Sequence, residues 1–221
     1  MSNPIIIKQA IKNFNKKICI SPDKSLSIRF VILASMANGK SKAFNLSNGE
    51  DVKSTIKCLK KLGVSIKFNK KQCEIIGNGL KGYIYKKNLT LDAGNSGTAA
   101  RLLTSALINS PKIIKITGDK SLKKRDMKRI INPLKQFGAK FYKNKGTLPL
   151  SIKGSNSIKP IHYKELRGSA QCKSAVMIAA LSAPGITKLK CLPSRNHTEI
   201  LYKNVLKIPL KIKKTKKFDY L

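Results

Sequence analysis

The sequence predicts an α/β fold of three similar units, and three observations carry that prediction. A short strand, a small polar turn, a helix, a strand and a second helix follow one another three times along the 221 residues. The turns SPDKSLSIR (21–29), LDAGNSGTAAR (91–101) and LRGSAQCKSA (166–175) recur at roughly 70–75 residues, a fixed period of the kind that marks repeat architectures. Each turn opens an apolar helical run rich in small residues: VILASMANG, LLTSALINS and VMIAALSAPG.

The first unit covers about 18–80. KICI (17–20) reads as a strand, 25–38 as a helix and SKAFNL (41–46) as a strand. Residues 51–62 read as a second helix, because Val52, Ile56, Leu59 and Leu62 recur at helical spacing, and Gly63 suits its C-cap. Residues 64–68 and 73–76 then pair as a hairpin across NKKQ. The second unit, about 88–153, repeats the order. It has a helix at 97–109, a strand at 113–117 and a helix at 126–137 capped by Gly138. A hairpin in FYKNKGTLPLSI closes it. Pro133 inside the second helix predicts a kink or a late start. The third unit runs from about 158 to 221. Asn196 with Glu199 has the capping-box pattern before a helix at 197–206. LKIKK then reads as a strand whose partner begins near Phe218, so this repeat is expected to be incomplete.

The length fits one large domain or two small ones, and the repeat favours one body of three units. A hydrophobic share of 41% is enough for a core and argues against general disorder. The net charge of +36 would ordinarily point to nucleic acid. The cations, however, are almost all lysine, with arginine only at 29, 101, 125, 129, 167 and 195. Lys, Ile and Asn are abundant together and share A/T-rich codons, so base composition accounts for the excess. Lysine spread over every surface also differs from a basic groove with interleaved aromatics. Specific nucleic-acid binding is not expected, although a positive field still draws in small anions.

Five widely separated cysteines (Cys19, Cys58, Cys73, Cys172, Cys191) show no metal-like spacing and read as reduced, most of them buried small hydrophobes. The N-terminus has no signal-peptide pattern, and no apolar run is long enough for a membrane span. A cytoplasmic protein without membrane association is the expectation.

The chemistry concentrates in the three turns. Gly94, Gly97 and Gly168 let backbone amides approach a ligand, and each following helix start presents free N–H groups to an anion. Lys24, Ser25 and Arg29 add a point charge, a hydroxyl and a planar fork, with Ser25 and Arg29 on one helical face. Ser169 and Gln171 add neutral donors and acceptors. A plain N-cap is the alternative reading of any single turn; three coincident turns favour a site for a hydroxylated polyanion. Nucleotide-loop motifs are absent. His162 and His197 lack metal-like partners and read as surface or capping residues, so neither a metal nor a cofactor is expected.

The segments SPDKSLSIR, LDAGNSGTAARLL, GDKSLKKRDM, RGSAQCKSA and PSRNHTE, in that order, resemble the N-terminal half of 5-enolpyruvylshikimate-3-phosphate synthases. The resemblance covers nearly all of 17–221. It implies an enolpyruvyl transferase-like domain of three βαβαββ repeats around a pseudo-threefold axis, with the active site in a cleft against a second such domain. It also implies transfer of an enolpyruvyl group from phosphoenolpyruvate to the 5-hydroxyl of shikimate 3-phosphate, through a tetrahedral adduct, with release of phosphate. Carried over by motif, Lys24 would contact both substrates and take part in proton transfer. Ser25 and Arg29 would bind the shikimate part, while Ser169, Ala170, Gln171 and Arg195 would hold its phosphate and ring. Asn95, Gly97, Thr98 and Arg125, with Gln171, would form the phosphoenolpyruvate site.

The sequence departs from the family at Asp126, where Pro is usual, and at Asn196, where Asp is usual. It holds no counterpart of the family's C-terminal half, which would supply acid/base carboxylates and the opposing wall. Residues 1–16 would normally lend a strand to that half. The expectation is therefore a truncated chain, inactive alone. Other readings stay open: a non-catalytic shikimate 3-phosphate-binding fragment, half of a split enzyme completed by a separate C-terminal half, or, remotely, a basic nucleic-acid-binding protein.

Overall fold

The computed structural model describes residues 20–69, 72–142 and 145–221, together with 6, 8, 9 and 15. The strand expected at 17–20, apart from its last residue, and most of the segment 1–16 lie outside the described residues.

The first helix is α1 (Lys24–Met36), where Asp23 Oδ1 accepts from the Leu26 amide at 2.6 Å and caps the helix. The helix stops before the expected residue 38, because Asn38 and Gly39, with Gly39 at φ +84°, already begin β1 (Asn38–Phe44). Then follow α2 (Glu50–Lys61), β2 (Ser65–Phe68) and β3 (Gln72–Asn78). The second unit holds β4 (Thr90–Asp92), α3 (Gly97–Ala106), β5 (Ile114–Thr117), α4 (Lys120–Lys123), α5 (Lys128–Gln136), β6 (Lys140–Tyr142) and β7 (Leu150–Lys153). The short α4 was not foreseen; Asp119 caps it by accepting from the Leu122 amide at 2.7 Å. Helix α5 begins at Lys128, two residues after the expected 126, with Asp126 Oδ1 accepting from the Lys128 amide; Pro133 lies in its interior rather than at its start. The third unit holds β8 (His162–Glu165), α6 (Ala170–Ala180), β9 (Lys188–Cys191), α7 (His197–Ile200), β10 (Lys213–Lys214) and β11 (Asp219–Tyr220).

Three sheets result. The second has strand order β4-β5-β7-β6 and the third β8-β9-β11-β10, each with a parallel leading pair and antiparallel partners after it. The first, β1-β3-β2, shows the antiparallel part of the same pattern. The third unit, expected to be unfinished, holds the full set of two helices and four strands, though its last two strands have only two residues each. Its chain still turns back through Thr215 and Phe218, and Leu221 exchanges backbone hydrogen bonds with Leu189. The helix expected at 197–206 is α-helical only to Ile200 and continues as a wide π-type turn to Val205.

The first helices of the units, α1, α3 and α6, begin at equal intervals along the chain and form the centre, with α3 packed on both others. Nearly all of their length is buried on every side: all of α3, and most of α1 and α6 beyond the first turn. A helix without a solvent face needs an apolar run rather than a stripe, and small residues let three such helices approach. The outer α2 and α5 keep a lysine-bearing solvent face and bury one side, such as Val52, Ile56 and Leu59. Gly77 of β3 is required by this packing, since a Cβ there would lie 2.2 Å from the Ala34 carbonyl oxygen of α1. Among the described residues no helix is long and apolar enough to cross a membrane.

Candidate active site

Packing the central helices together brings their first turns to one face. Ser96 and Ser169 cap α3 and α6 by accepting from the amides of Ala99 (3.1 Å) and Cys172 (3.2 Å), as Asp23 does for α1. The turn before α6 is shaped by buried Glu165, whose two carboxylate oxygens accept from the amides of Arg167 (3.1 Å) and Ser169 (2.9 Å). Gly168 takes φ +64° there, the left-handed region that favours glycine.

A cavity of about 450 Å³ opens at this face. Ser25 and Arg29 come from α1 and Thr98 from α3. Gly168, Ser169, Ala170 and Gln171 come from the start of α6, and Ser194, Arg195 and His197 from the segment after β9. Seven residues expected at a site thus line one cavity. Arg29 is 3% exposed, and burial pushes its guanidinium down to about 10, which leaves it a cation at neutral pH. Its Nε donates to Thr198 Oγ1 (2.9 Å), Nη1 to the Ser25 carbonyl (3.0 Å) and Nη2 to Ser174 Oγ (2.8 Å). A guanidinium carries five N–H groups, so donors remain for a ligand while the fork fixes α1 against α6 and α7. Gln171 is held as firmly: its Nε2 donates to Thr98 Oγ1 (2.9 Å) and its Oε1 accepts from Arg101 Nη1 (2.7 Å).

The other expected residues lie beside this cavity rather than in its lining. Asn95 Oδ1 accepts from Arg125 Nη2 at 3.2 Å, and the Asn95 amide donates a short hydrogen bond to Asp119. Gly97 lies under the same guanidinium, since a Cβ there would meet Arg101 Nη1 at 2.7 Å and Arg125 Nη1 at 3.0 Å. Asn95, Gly97 and Arg125 therefore form a second cluster. Lys24 pairs with Asp51 at 2.6 Å and is half exposed. Asp51 lines a depression with Gly94 and Asn95, which places Lys24 toward the second cluster.

Arg101 joins the two clusters. Besides Gln171, it donates to the carbonyls of Gly97 (3.3 Å) and Asp126 (3.0 Å), and burial pushes its pKa down. Asp126 faces Arg129 at 3.4 Å and Arg167 at 3.8 Å. Sequence reasoning passed over Arg101, Ser194 and His197 as site residues. The signal for Arg101 was the rarity of arginine: all six line or adjoin these clusters. His197, read as a surface or capping residue, is partly buried. Burial above all, with Arg29 and Arg195 adding and Asp23 opposing, lowers its pKa, so the ring is neutral at pH 7. The capping box expected of Asn196 and Glu199 does not form; Asn196 makes no side-chain cap, and Glu199 pairs instead with Lys173. Among the described residues no group of three His, Cys, Asp or Glu side chains could hold a metal ion.

What the arrangement offers is a set of neutral hydroxyl and amide groups beside fixed guanidinium forks and helix N-termini, which suits an anionic, hydroxylated small molecule. The family model for EPSP synthase (3-phosphoshikimate 1-carboxyvinyltransferase) matches residues 8–219. A 3-phosphoshikimate 1-carboxyvinyltransferase of Ruthia magnifica subsp. Calyptogena magnifica is 46% identical over 183 residues, covering 82% of this chain and 42% of the relative. The Bacillus cereus (strain G9842) enzyme of the same name is 42% identical over 195 residues, covering 86% and 45%. Among solved structures, EPSP synthase from Acinetobacter baumannii superposes with a TM-score of 0.81 at 33% identity, over 93% of this chain and 46% of that one. The chain thus spans less than half the length of these relatives.

Proposed function

Because the chain belongs to the EPSP synthase family, we propose that it forms the shikimate 3-phosphate wall of an enolpyruvyl transfer site. The observation that carries this reading is the convergence of Ser25, Arg29, Ser169, Gln171 and Arg195, from three separate segments, on one cavity. Ser169 and Arg195, with the free amides at the start of α6, hold the phosphate; Ser25, Arg29 and Gln171 hold the ring. The second cluster of Asn95, Gly97 and Arg125 takes phosphoenolpyruvate, and Lys24 reaches between the two substrates.

In the reaction, the 5-hydroxyl of shikimate 3-phosphate gives up its proton to a base as its oxygen bonds to C2 of phosphoenolpyruvate, and a proton is delivered to C3, which becomes a methyl group. Loss of one proton from that methyl group and of phosphate from C2 of the tetrahedral adduct then yields the enolpyruvyl ether. Two unit anions at 4 Å repel by about 4 kcal/mol at a protein-surface dielectric. The cations Lys24, Arg29, Arg125 and Arg195 offset that repulsion and align the reacting atoms. Lys24 carries protons between the substrates; the remaining acid/base groups belong to the second domain that the family resemblance implies. Turnover accordingly needs that domain, continuous with this one or separate, and the isolated chain releases no phosphate from the two substrates.

Calorimetric titration tests the reading. Shikimate 3-phosphate binds the chain more tightly than shikimate does, and Arg195→Ala weakens the phosphate ester by about tenfold or more while leaving shikimate unchanged. Equal binding of the two ligands, or no effect of Arg195→Ala, would sink it. Phosphate release by the isolated chain would overturn the need for a second domain.

A further inference from the structure

Beneath the segment that carries Ser194 and Arg195 lies a charge pair removed from solvent. Lys173 of α6 is 0% exposed and meets Glu199 of α7 at 2.5 Å, with the Glu199 side chain 8% exposed. Lys173 Nζ also donates to the Ser194 carbonyl at 3.4 Å. Among the described residues Glu199 Oε2 and Ser194 Oγ have no hydrogen-bond partner. Desolvating such a pair is costly, and apolar residues of the same volume are often as stable or more so. Stability is therefore a poor explanation for it.

Its placement supplies a better one. Ser194 sits between two cavities. Ser194 lines the 450 Å³ substrate cavity and also a second cavity of about 750 Å³ behind it, bordered by Glu199, Lys203 and Asp219. Ser194 Oγ is buried without a partner, so among the described residues the bond from Lys173 to its carbonyl is the hydrogen bond that ties Ser194 to α6. Lys173 lies four residues after Ser169 and two after Gln171 on the same helix, and Glu199 follows Thr198, which holds Arg29.

We propose that the Lys173–Glu199 pair is a positioning device: it tethers the Ser194–Arg195 segment to α6, so that Arg195 and Ser169 face one phosphate together. Neither residue touches the ligand. Resting on the shikimate 3-phosphate reading, the proposal predicts a specific loss of phosphate recognition. The test compares wild type with the double variant Lys173→Met/Glu199→Leu, which leaves no buried charge unpaired. The double variant melts close to wild type, keeps its affinity for shikimate, and loses about tenfold or more in affinity for shikimate 3-phosphate. Glu199→Gln keeps an acceptor for Lys173 and loses less than about threefold. Undiminished preference for the phosphate ester in the double variant overturns the proposal. So does a loss in Glu199→Gln as large as in the double variant, which would assign the effect to folding. If wild type itself does not prefer the phosphate ester, the functional reading fails and the tether is read from ligand-free amide hydrogen exchange. Exchange at Arg195 and Asn196 then speeds up by about tenfold in the double variant; unchanged exchange overturns the tether independently of any ligand.

Discussion

Arg101 shows how a single side chain can define a site without lying in its cavity. Its guanidinium reaches the carbonyls of Gly97 and Asp126 and the amide oxygen of Gln171, three segments far apart in sequence. An ammonium cannot reproduce that planar spread. Arg101→Lys is expected to cost about 2 kcal/mol of stability in urea titration, because buried acceptors lose their donor. A change within the error of the titration would show that Arg101 is not a structural joint. At this scale the sequence was partly legible. Ser25, Ser169 and Gln171 stand out because they follow small-residue turns at helix starts, a local signature. Lys173, Ser194 and Glu199 acquire their roles from partners 21 to 26 residues away, and nothing adjacent in the sequence announces them. Glu199 even carries a misleading local signal, since its spacing from Asn196 fits a capping box that the buried lysine outcompetes.

Among the elements, the central helices explain why their small-residue runs recur. A helix enclosed by two others and a sheet has no polar face, so α1 and α6 read as apolar throughout, whereas α2 and α5 show the expected stripe. Their starts serve both the fold and the site. Ser96 is 1% exposed and caps α3; Ser96→Ala is expected to cost about 1 kcal/mol. The loss should appear as a lower denaturation midpoint with unchanged slope, and a neutral result would remove the cap as the reason for serine. Strand boundaries were less legible. β10 and β11 are so short that their pairing depends on the Thr215–Phe218 turn and on β9 rather than on any alternation. The region 197–206 reads as one helix by periodicity, yet it widens after Ile200, a departure that the sequence pattern does not signal.

For the molecule as a whole, the buried thiols give a pH dependence with a definite sign. Burial pushes Cys58 and Cys172 up to about 12, and Cys73 and Cys191 up to about 11, from an ordinary 9.0. As pH rises past 9.0 the unfolded chain releases these protons while the folded one keeps them. The stability they contribute is full below 9.0 and declines toward 11–12. Lysine titration over the same range affects all variants alike, so the comparison is between proteins. Cys58→Ala should lose less melting temperature than wild type, or gain more, between pH 8 and pH 10 by circular dichroism; an identical pH response would contradict the assignment. The repeat and its three capped helix starts were legible from spacing alone. That they converge was not, since it depends on how α3 packs against both neighbours. The central claim is that these starts, with the Ser194–Arg195 segment, build one wall for shikimate 3-phosphate. Amide shift mapping by NMR tests it most directly. On titration with that ligand, the account predicts perturbations confined to Ser25, Arg29, Ser169, Gln171, Ser194, Arg195, His197 and their neighbours. Perturbations scattered over lysine-rich surfaces, with those residues silent, would contradict it.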